Sequence, residues 1–363
     1  MTTPDVLKVH GLDLSYFTGK LETYLRAKGL TYERIEMDTS DFKRCAKATG
    51  VAQMPQVEWV DGQWLSDTTL IIEFLDNLHP DTPVLPTHSV PRFIAQLLED
   101  FGDEWLWRPA LYYRWAKQQD TRLMGHRLAV GMLRDVPLPV FVRRWFITKR
   151  QQFHFLWKDG VRLHTAQRIE AQYLETLDAM EQVLKEHRFL LGEKPSLADF
   201  AFMGSMFRHF FSDPTPAKLM QEHAPHVHEW VARMWNTSVP RHSDTPFSSA
   251  TPTHLDPLMR IVCSEFLPYM QANEQAMCNK ESHFAFQSVQ TTFKIPVQTY
   301  RAWRFQRLRQ RYQALDQETK YELSKHWPEL NITLSMPIHM PIKPKISVLP
   351  IIPSAHQPVG RTW

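Results

Sequence analysis

The sequence predicts a small α/β domain, a larger all-helical domain and a C-terminal extension. The chain has 363 residues, which is enough for two ordinary domains and an additional segment. Residues 1–78 alternate short apolar runs with helix-like runs, and apolar side chains in residues 91–270 recur at helical spacing. The hydrophobic fraction of 43% and the charged fraction of 22% are typical of globular proteins.

Composition excludes several classes of protein. The net charge of +3 is too small to indicate nucleic-acid binding, and no apolar run approaches the length of a membrane-spanning helix. The first residues lack the basic and apolar segments of a secretory signal. Three widely spaced cysteines, Cys45, Cys263 and Cys278, predict free thiols in a reducing compartment. We therefore expect a cytoplasmic protein.

The α/β domain is predicted element by element. Its order is strand, helix, strand, helix, hairpin, helix, which is a thioredoxin-like arrangement. Gly29 ends the first helix, and Asp61-Gly62 is a strong hairpin signal. The predicted strands and helices with assigned limits are Val6–His10, Leu21–Lys28, Tyr32–Met37, Gln56–Val60, Gln63–Leu65 and Asp67–Leu75.

The rest of the chain divides at prolines and at changes of pattern. Residues 79–90 are proline-rich and predict a linker, and residues 91–270 predict helices. Ser196, with Asp199 three residues later, is a helix-capping pair, so Asp199 is interpreted as structural. Residues 136–163 are interpreted as an insertion that carries a basic run.

Residues 271–363 form the predicted extension. Arg301–Gln313 alternates arginine with aromatic and aliphatic residues. This pattern fits either a patch that binds nucleic acid or anionic membranes, or an amphipathic helix packed on the helical domain or a partner subunit, and nearby acidic residues favour packing. Six prolines in the last 33 residues predict an extended tail.

Residues 15–21, Ser-Tyr-Phe-Thr-Gly-Lys-Leu, lie where the first strand turns into the first helix. The first backbone N–H groups of a helix have no intrahelical partner, and they carry a partial positive charge. A serine hydroxyl at this turn would therefore stand beside a site that favours an anion such as a thiolate. The alternative is that Ser15 only caps the helix.

Four segments in order resemble the glutathione transferase family. Residues 15–21 resemble the Ser-Pro-Tyr-x-x-Lys-Val segment of its theta- and zeta-like members, and residues 53–55 resemble Gln-Val-Pro, whose proline is cis. Residues 67–75 resemble Glu-Ser-x-Ala-Ile-x-x-Tyr-Leu, and residues 189–200 resemble Phe-Leu-x-Gly-x-x-Pro-Ser-Leu-Ala-Asp-Phe. The resemblance covers about the first 240 residues apart from the insertion, and the extension has no counterpart.

This resemblance implies a thioredoxin-like glutathione-binding domain followed by an all-α glutathione-transferase C-terminal domain. It implies that Ser15 donates a hydrogen bond to the glutathione sulfur. Tyr16 stands where the family usually has proline and is itself a candidate donor, with Thr18 a weaker one. The implied glutathione-binding residues are Gln53, Met54, Pro55, Asp67 and Thr68.

The second substrate is expected in an apolar pocket on the helical domain. Trp105, Tyr112 and Tyr16 are the candidate lining residues, and aromatic core packing is the alternative. Lys43 is a weak candidate for holding the glycyl carboxylate. No metal site is expected, because the spacing of the histidines at 223, 226 and 228 does not suit one helical face.

These observations predict a glutathione transferase that conjugates the glutathione thiolate to an electrophilic small molecule. Glutathione is then a co-substrate, and the resemblance implies a homodimer without nucleic acid. The alternatives are a non-catalytic scaffold whose extension binds partners, or a glutathione-dependent isomerase or dehalogenase on the same site.

Overall fold

The computed structural model describes residues 6–59, 62–241, 244–338 and 340–343. Asp61 of the predicted hairpin turn and most of the proline-rich tail lie outside these ranges. Within them, no helix combines the length and the apolarity that crossing a bilayer requires.

The first domain has the predicted thioredoxin-like order around a mixed sheet. Its strands are β1 (Leu7–Gly11), β2 (Tyr32–Glu36), β3 (Gln56–Glu58) and β4 (Trp64–Ser66), arranged β2-β1-β3-β4. β1 pairs with β2 in parallel, and β3 is antiparallel to both β1 and β4. Its helices are α1 (Tyr16–Ala27), α2 (Thr39–Thr49) and α3 (Thr68–Leu78).

The first helix begins five residues earlier than predicted, at Tyr16 rather than Leu21. Ser15 is its N-cap, and a capped first turn can include residues that lack an apolar pattern. At the other end, Gly29 has a φ of 65°, which a side chain would disfavour, so the predicted stop is confirmed.

Strand register brings three loops to one edge of the sheet. His10 lies opposite Gln56, and Gln56 lies opposite Ser66. The loop after β1, Pro55 before β3 and Asp67 after β4 therefore meet at the same edge.

The second domain is helical, as predicted. The helices in sequence order are α4 (Ser89–Glu104), α5 (Trp107–Ala116), α6 (Gln118–Val130), α7 (Val140–Gln151), α8 (Leu163–Glu186), α9 (Leu197–Ser205), α10 (Pro214–His223), α11 (Pro225–Trp235), α12 (Asp256–Ile261) and α13 (Leu267–Cys278). π-helical segments follow α7, α9 and α12, at Gln152–Leu156, Met206–Phe211 and Val262–Phe266. Helix α9 packs against both α1 and α4 and so joins the two domains.

Asp199 has the structural role that the capping pattern predicted. Its carboxylate accepts hydrogen bonds from the backbone N–H of Leu190 at 2.9 Å, from both the N–H and the hydroxyl of Ser196, and from the indole of Trp230 at 3.1 Å. The side chain is fully buried, and these hydrogen bonds fix the start of α9.

The extension is folded against both domains. The predicted boundary at residue 270 falls inside α13, and the chain continues through a hairpin of β5 (His283–Ser288) and β6 (Thr291–Pro296). Three helices follow, α14 (Thr299–Gln313), α15 (Gln317–His326) and α16 (Pro328–Leu334). Helix α14 packs against α4 and α13.

The arginines of α14 are paired with carboxylates of the protein, so the packing interpretation is confirmed and the anion-binding patch is wrong. Every one of the five has an acidic partner: Arg301 with Glu104 and Asp159, Arg304 with Glu99 and Asp100, Arg307 and Arg311 with Glu73, and Arg309 with Glu274.

A buried charge cluster joins α1, α4 and α14. Lys20 donates to Glu99 at 2.8 Å and to Asp103 at 2.6 Å, and Arg304 contacts Glu99 and Asp100. Three carboxylates thus share two cations. Burial raises the pKa of Asp103 to about 7, whereas Lys20 and Arg304 outweigh burial at Glu99 and lower its pKa to about 2.

This cluster predicts a pH-dependent stability. Because its pKa is raised, Asp103 holds a proton in the folded state that it loses when unfolded, so the free energy of unfolding should fall as pH rises from about 5 to 7. Asp103→Asn should flatten that slope by up to about 1.4 kcal/mol per pH unit. Urea unfolding at several pH values measures this slope. Asp178→Asn is the control, because the Asp178 side chain is exposed. Equal slopes in wild type and Asp103→Asn would contradict the assignment.

Candidate functional site

Ser15 stands at the N-terminus of α1 with its hydroxyl hydrogen available. Its Oγ accepts a hydrogen bond from the Thr18 N–H at 3.3 Å, which is the capping interaction. In that bond Oγ is the acceptor, and the described residues provide no acceptor for its hydrogen. Ser15 is partly buried, so it can cap the helix and still donate to a ligand.

The loop that carries Ser15 is fixed by Arg114 of α5. This guanidinium donates to the Leu14 carbonyl at 2.6 Å and makes two hydrogen bonds of 2.8 Å to Asp213. Both charged side chains are buried. Sequence analysis missed this positioning pair because its members are 99 residues apart and neither lies in a recognisable motif.

Tyr16 and Thr18 cannot donate to a ligand at this position. Tyr16 is 2% exposed, its hydroxyl donates to the Gly102 carbonyl, and a Cβ at Gly204 would lie 2.7 Å from its ring. Burial raises the pKa of Tyr16 well above its usual value. Thr18 is completely buried beside Gly11. The predictions that Tyr16 is an alternative donor and a pocket residue are therefore wrong, because its ring belongs to the interdomain core.

The Met54–Pro55 peptide bond is cis, as the sequence predicted. Pro55 is buried and Met54 is partly exposed. The Gln56 amide donates to the carbonyls of Val51 at 2.8 Å and Gln53 at 3.1 Å, which holds this loop beside the end of β1. Gln53, Met54 and Pro55 thus lie at the same sheet edge as the loop of Ser15.

Asp67 caps α3 and is also held by the extension. Its φ is 74°, one carboxylate oxygen accepts from the Thr69 N–H at 3.1 Å, and the other accepts from the Tyr300 hydroxyl of α14 at 2.8 Å. Asp67 is 7% exposed and Thr68 is 6% exposed. The sequence could not indicate this contact, since Tyr300 belongs to the segment without a known counterpart.

The other two predicted lining residues are buried between helices. Trp105 is 1% exposed in the core, where its ring packs on Phe101 and Tyr269, so its assignment to a pocket is wrong. Tyr112 is 6% exposed and donates to Glu170 of α8 at 2.5 Å, so it too packs between helices.

Trp107 of α5 packs against the first turn of α1. It is partly exposed, and its ring centroid lies 5.9 Å from that of Phe17 and 6.1 Å from that of Phe155. The chain changes helix between Trp105 and Trp107, and the two rings therefore point to different surroundings. Pro109, in the first turn of α5, is the sequence signal of this break.

A small cleft adjoins the Ser15 loop. Its volume is about 190 Å³, and Asp13, Glu36 and Arg127 are its charged lining residues. This is smaller than the roughly 300–1,000 Å³ of most small-molecule pockets. Lys43 is exposed on α2, and no hydrogen bond or ion pair of its side chain is found in the described residues.

One group of side chains in the described ranges has metal-ligating potential. His10, Asp41 and Cys45 place ligand atoms within 4.8 Å of one another. The Arg44 guanidinium lies 3.4 Å from both ring nitrogens of His10, and burial with the Asp41 charge raises the pKa of Cys45 to about 12. An adjacent cation and a protonated thiol both disfavour a metal ion.

The two folded domains match two family models. Residues 9–83 match the glutathione S-transferase N-terminal domain, and residues 157–237 match the glutathione S-transferase C-terminal domain. The chain belongs to the glutathione S-transferase family. Residues 84–156, which include α4 to α7, and the residues after 237 lie outside the matched ranges.

Curated relatives match over shorter stretches. The chain is 25% identical over 247 residues to "Failed axon connections" of Drosophila melanogaster, covering 62% of this chain and 55% of that protein. It is 29% identical over 106 residues to glutathione S-transferase U7 of Arabidopsis thaliana, covering 29% of this chain and 47% of that protein. The chain thus spans about half the length of these relatives.

Solved structures match the chain at low identity. The β-etherase LigF from Sphingobium is 19% identical, with 63% of this chain and 94% of that chain covered and a TM-score of 0.45. The tau-class glutathione S-transferase of mango, Mangifera indica, is 17% identical. The match covers 70% of this chain and 99% of that chain, with a TM-score of 0.44.

Proposed function

We propose that this protein is a serine-type glutathione transferase, in which Ser15 stabilises the glutathione thiolate. The observation that carries the proposal is the hydroxyl of Ser15, with its hydrogen unused, at the N-terminus of α1. Strand register supports it by bringing the Met54–Pro55 loop and Asp67 to the same edge.

The chemistry rests on ionising the bound thiol. A free thiol has a pKa near 8.5, so only a few per cent is thiolate at neutral pH. A hydroxyl donor and a helix N-terminus both stabilise the anion and lower that pKa. The thiol proton passes to solvent, and the thiolate sulfur forms a bond to the electrophilic carbon of the second substrate. In a substitution the leaving group departs with the electron pair of its broken bond, and in an addition the broken π bond leaves a carbanion or enolate that takes a proton from solvent. Trp107, Phe17 and Phe155 supply an apolar surface for that substrate.

The start of α3 is the proposed site for the γ-glutamyl end of glutathione. The first N–H groups of a helix and the Thr68 hydroxyl suit a carboxylate, and the Asp67 carboxylate suits an ammonium group. Tyr300 already donates to Asp67. Glutathione must therefore share this carboxylate with the tyrosine or displace it.

A non-catalytic scaffold is the second candidate, and the Tyr300 contact is the observation that favours it. A phenol on Asp67, together with the near-complete burial of Asp67 and Thr68, reduces access to the proposed glutamyl site. In that case the extension closes a site that the fold retains, and residues 271–363 serve partner binding.

Calorimetric titration with reduced glutathione separates these candidates. We expect saturable binding by the wild type and at least a tenfold loss of affinity in Asp67→Ala, because the ammonium group loses its charged partner. The exposed linker substitution Asp81→Ala is the matched control. Tyr300→Phe should bind at least as tightly as the wild type, since it removes the competing phenol.

The opposite results identify the scaffold. If neither the wild type nor Tyr300→Phe binds glutathione at millimolar concentration, the transferase proposal fails. If only Tyr300→Phe binds, the site is intact and the extension closes it. We also propose a cytosolic homodimer on the basis of the family, and light scattering of the purified chain measures the oligomeric state.

A further inference from the structure

Helix α7 and the π-helical segment after it present aromatic rings to solvent. We call this set the aromatic face, and its members, with their exposed fractions, are Phe141 (69%), Trp145 (63%), Phe146 (53%), Phe153 (73%) and Trp157 (58%). Phe141 and Trp145 are four residues apart, as are Phe153 and Trp157, so these rings follow helical turns. Side chains of this size are ordinarily buried, and five exposed rings within 17 residues indicate an interaction site.

The opposite side of the same helix is firmly packed. Ile147 is 2% exposed and Leu156 is 8% exposed, and both belong to a core shared with α6. A Cβ at Gly125 of α6 would lie 2.4 Å from the Thr148 hydroxyl, so the two helices cross closely. The aromatic face is therefore the outer side of an anchored helix.

Two rings of this face pack against neighbours. Phe153 and Trp157 stack with ring centroids 5.9 Å apart, and the Arg162 guanidinium lies 4.6 Å from the Trp157 centroid. They are held on the surface in one arrangement, which reduces the entropy lost when a partner covers them.

Positive charge accompanies the aromatic face. Residues 136–158 contain five lysines and arginines and no aspartate or glutamate. In the described part of the chain, no carboxylate pairs with Arg144, Lys149, Arg150 or Lys158. The contrast with α14 is direct, because all five arginines there have acidic partners.

We propose that the aromatic face binds the surface of an anionic lipid bilayer. An interfacial helix combines large apolar side chains on one side with lysine and arginine beside them. Tryptophan is favoured at the headgroup level, and long basic side chains extend from the apolar zone to reach phosphates. Each basic residue near such a surface strengthens binding by roughly fivefold.

Lipid fits these observations better than a protein or a nucleic acid. The buried centre of a protein interface is depleted in lysine, whereas here Lys149 lies between rings along the helix. Nucleic-acid sites rely mainly on many phosphate contacts, whereas this face offers five large apolar rings. The proposal is independent of glutathione binding, since no residue of the aromatic face belongs to the proposed active site.

Co-sedimentation of the full chain with vesicles tests the proposal. We expect binding to phosphatidylcholine vesicles that contain about one-third phosphatidylserine, weak binding to phosphatidylcholine alone, and weaker binding at about 0.5 M than at about 0.05 M salt. Lys149→Glu with Arg150→Glu should lower the affinity by about 30-fold or more. Trp145→Ser with Phe153→Ser should lower it by about 100-fold but leave the salt dependence.

Matched controls separate this face from general surface effects. Lys185→Glu with Arg188→Glu makes the same charge change on another exposed surface, and Tyr321→Ser with Ile332→Ser removes exposed apolar groups from the extension. Both should bind vesicles like the wild type. Circular dichroism and thermal midpoints should match among all variants, because every substituted side chain is exposed.

Three results would overturn the proposal. The first is no binding to anionic vesicles at low salt, or equal loss in the control and test variants. The second is a variant with Trp145→Ser and Phe153→Ser that loses self-association in light scattering but still binds vesicles. That result would assign the aromatic face to contact with a second copy of the chain. The third is tighter binding to a duplex RNA oligonucleotide than to vesicles, with the same sensitivity to Lys149 and Arg150.

Discussion

Replacing Arg304 with methionine is expected to lower the free energy of unfolding by about 3–5 kcal/mol. Arg304 is 1% exposed and contacts Asp100 and Glu99. Without it, Asp100 loses its paired cation and Lys20 remains paired with Glu99 and Asp103. An uncompensated buried charge costs more than the lost pair contributes. Urea unfolding followed by far-ultraviolet circular dichroism measures the change.

Arg307→Met on the same helix is the matched control. Arg307 pairs with Glu73, both side chains are partly exposed, and Arg311 also contacts Glu73. Its loss should cost less than about 1 kcal/mol. Adding Asp100→Asn to Arg304→Met should recover part of the stability because one buried charge is removed. Equal losses of unfolding free energy in Arg304→Met and Arg307→Met would show that burial of the charge cluster does not cause the destabilisation.

Replacing Ser15 with alanine is expected to raise the pKa of bound glutathione by about one unit or more. At neutral pH this lowers the thiolate fraction, and with it the rate of thiol addition, by roughly tenfold. The difference should shrink at high pH, where the thiol ionises without help. Ultraviolet absorbance of the bound thiolate during a pH titration measures the pKa without knowledge of the electrophile.

Two further substitutions separate the capping role of Ser15 from its role toward sulfur. Ser15→Thr keeps a hydroxyl and should retain a low thiol pKa. Ser15→Asp keeps the cap and the stability of α1, but an ionised carboxylate has no hydrogen to donate and repels a thiolate. An unchanged thiol pKa in Ser15→Ala, together with a loss of stability of about 1 kcal/mol, would make Ser15 a cap alone.

Features that depend on residues close together in the sequence were predictable. Gly29, the Ser196 and Asp199 pair, and the cis bond before Pro55 each depend on local backbone chemistry, and all three predictions are confirmed. The order of strands and helices followed from the same local signals.

Long-range contacts were not predictable. Tyr300 contacts Asp67 across 233 residues, and no local pattern encodes that distance. The pocket assignments to Trp105 and Tyr16 failed because composition indicates aromatic residues but not the direction in which a helix turns them. Trp107, two residues from Trp105, is the one that stacks on Phe17 at the start of α1.

The pairing of Arg304 with Asp100 also determines when α4 can gain its second cation during translation. The two residues are 204 positions apart, so α4 leaves the ribosome long before the cation that neutralises it. At about 5–20 residues per second, that interval is about 10–40 s. For that time Glu99, Asp100 and Asp103 have only Lys20 as a buried counter-charge. We therefore expect the contact of α4 with α14 to form only after translation has passed α14.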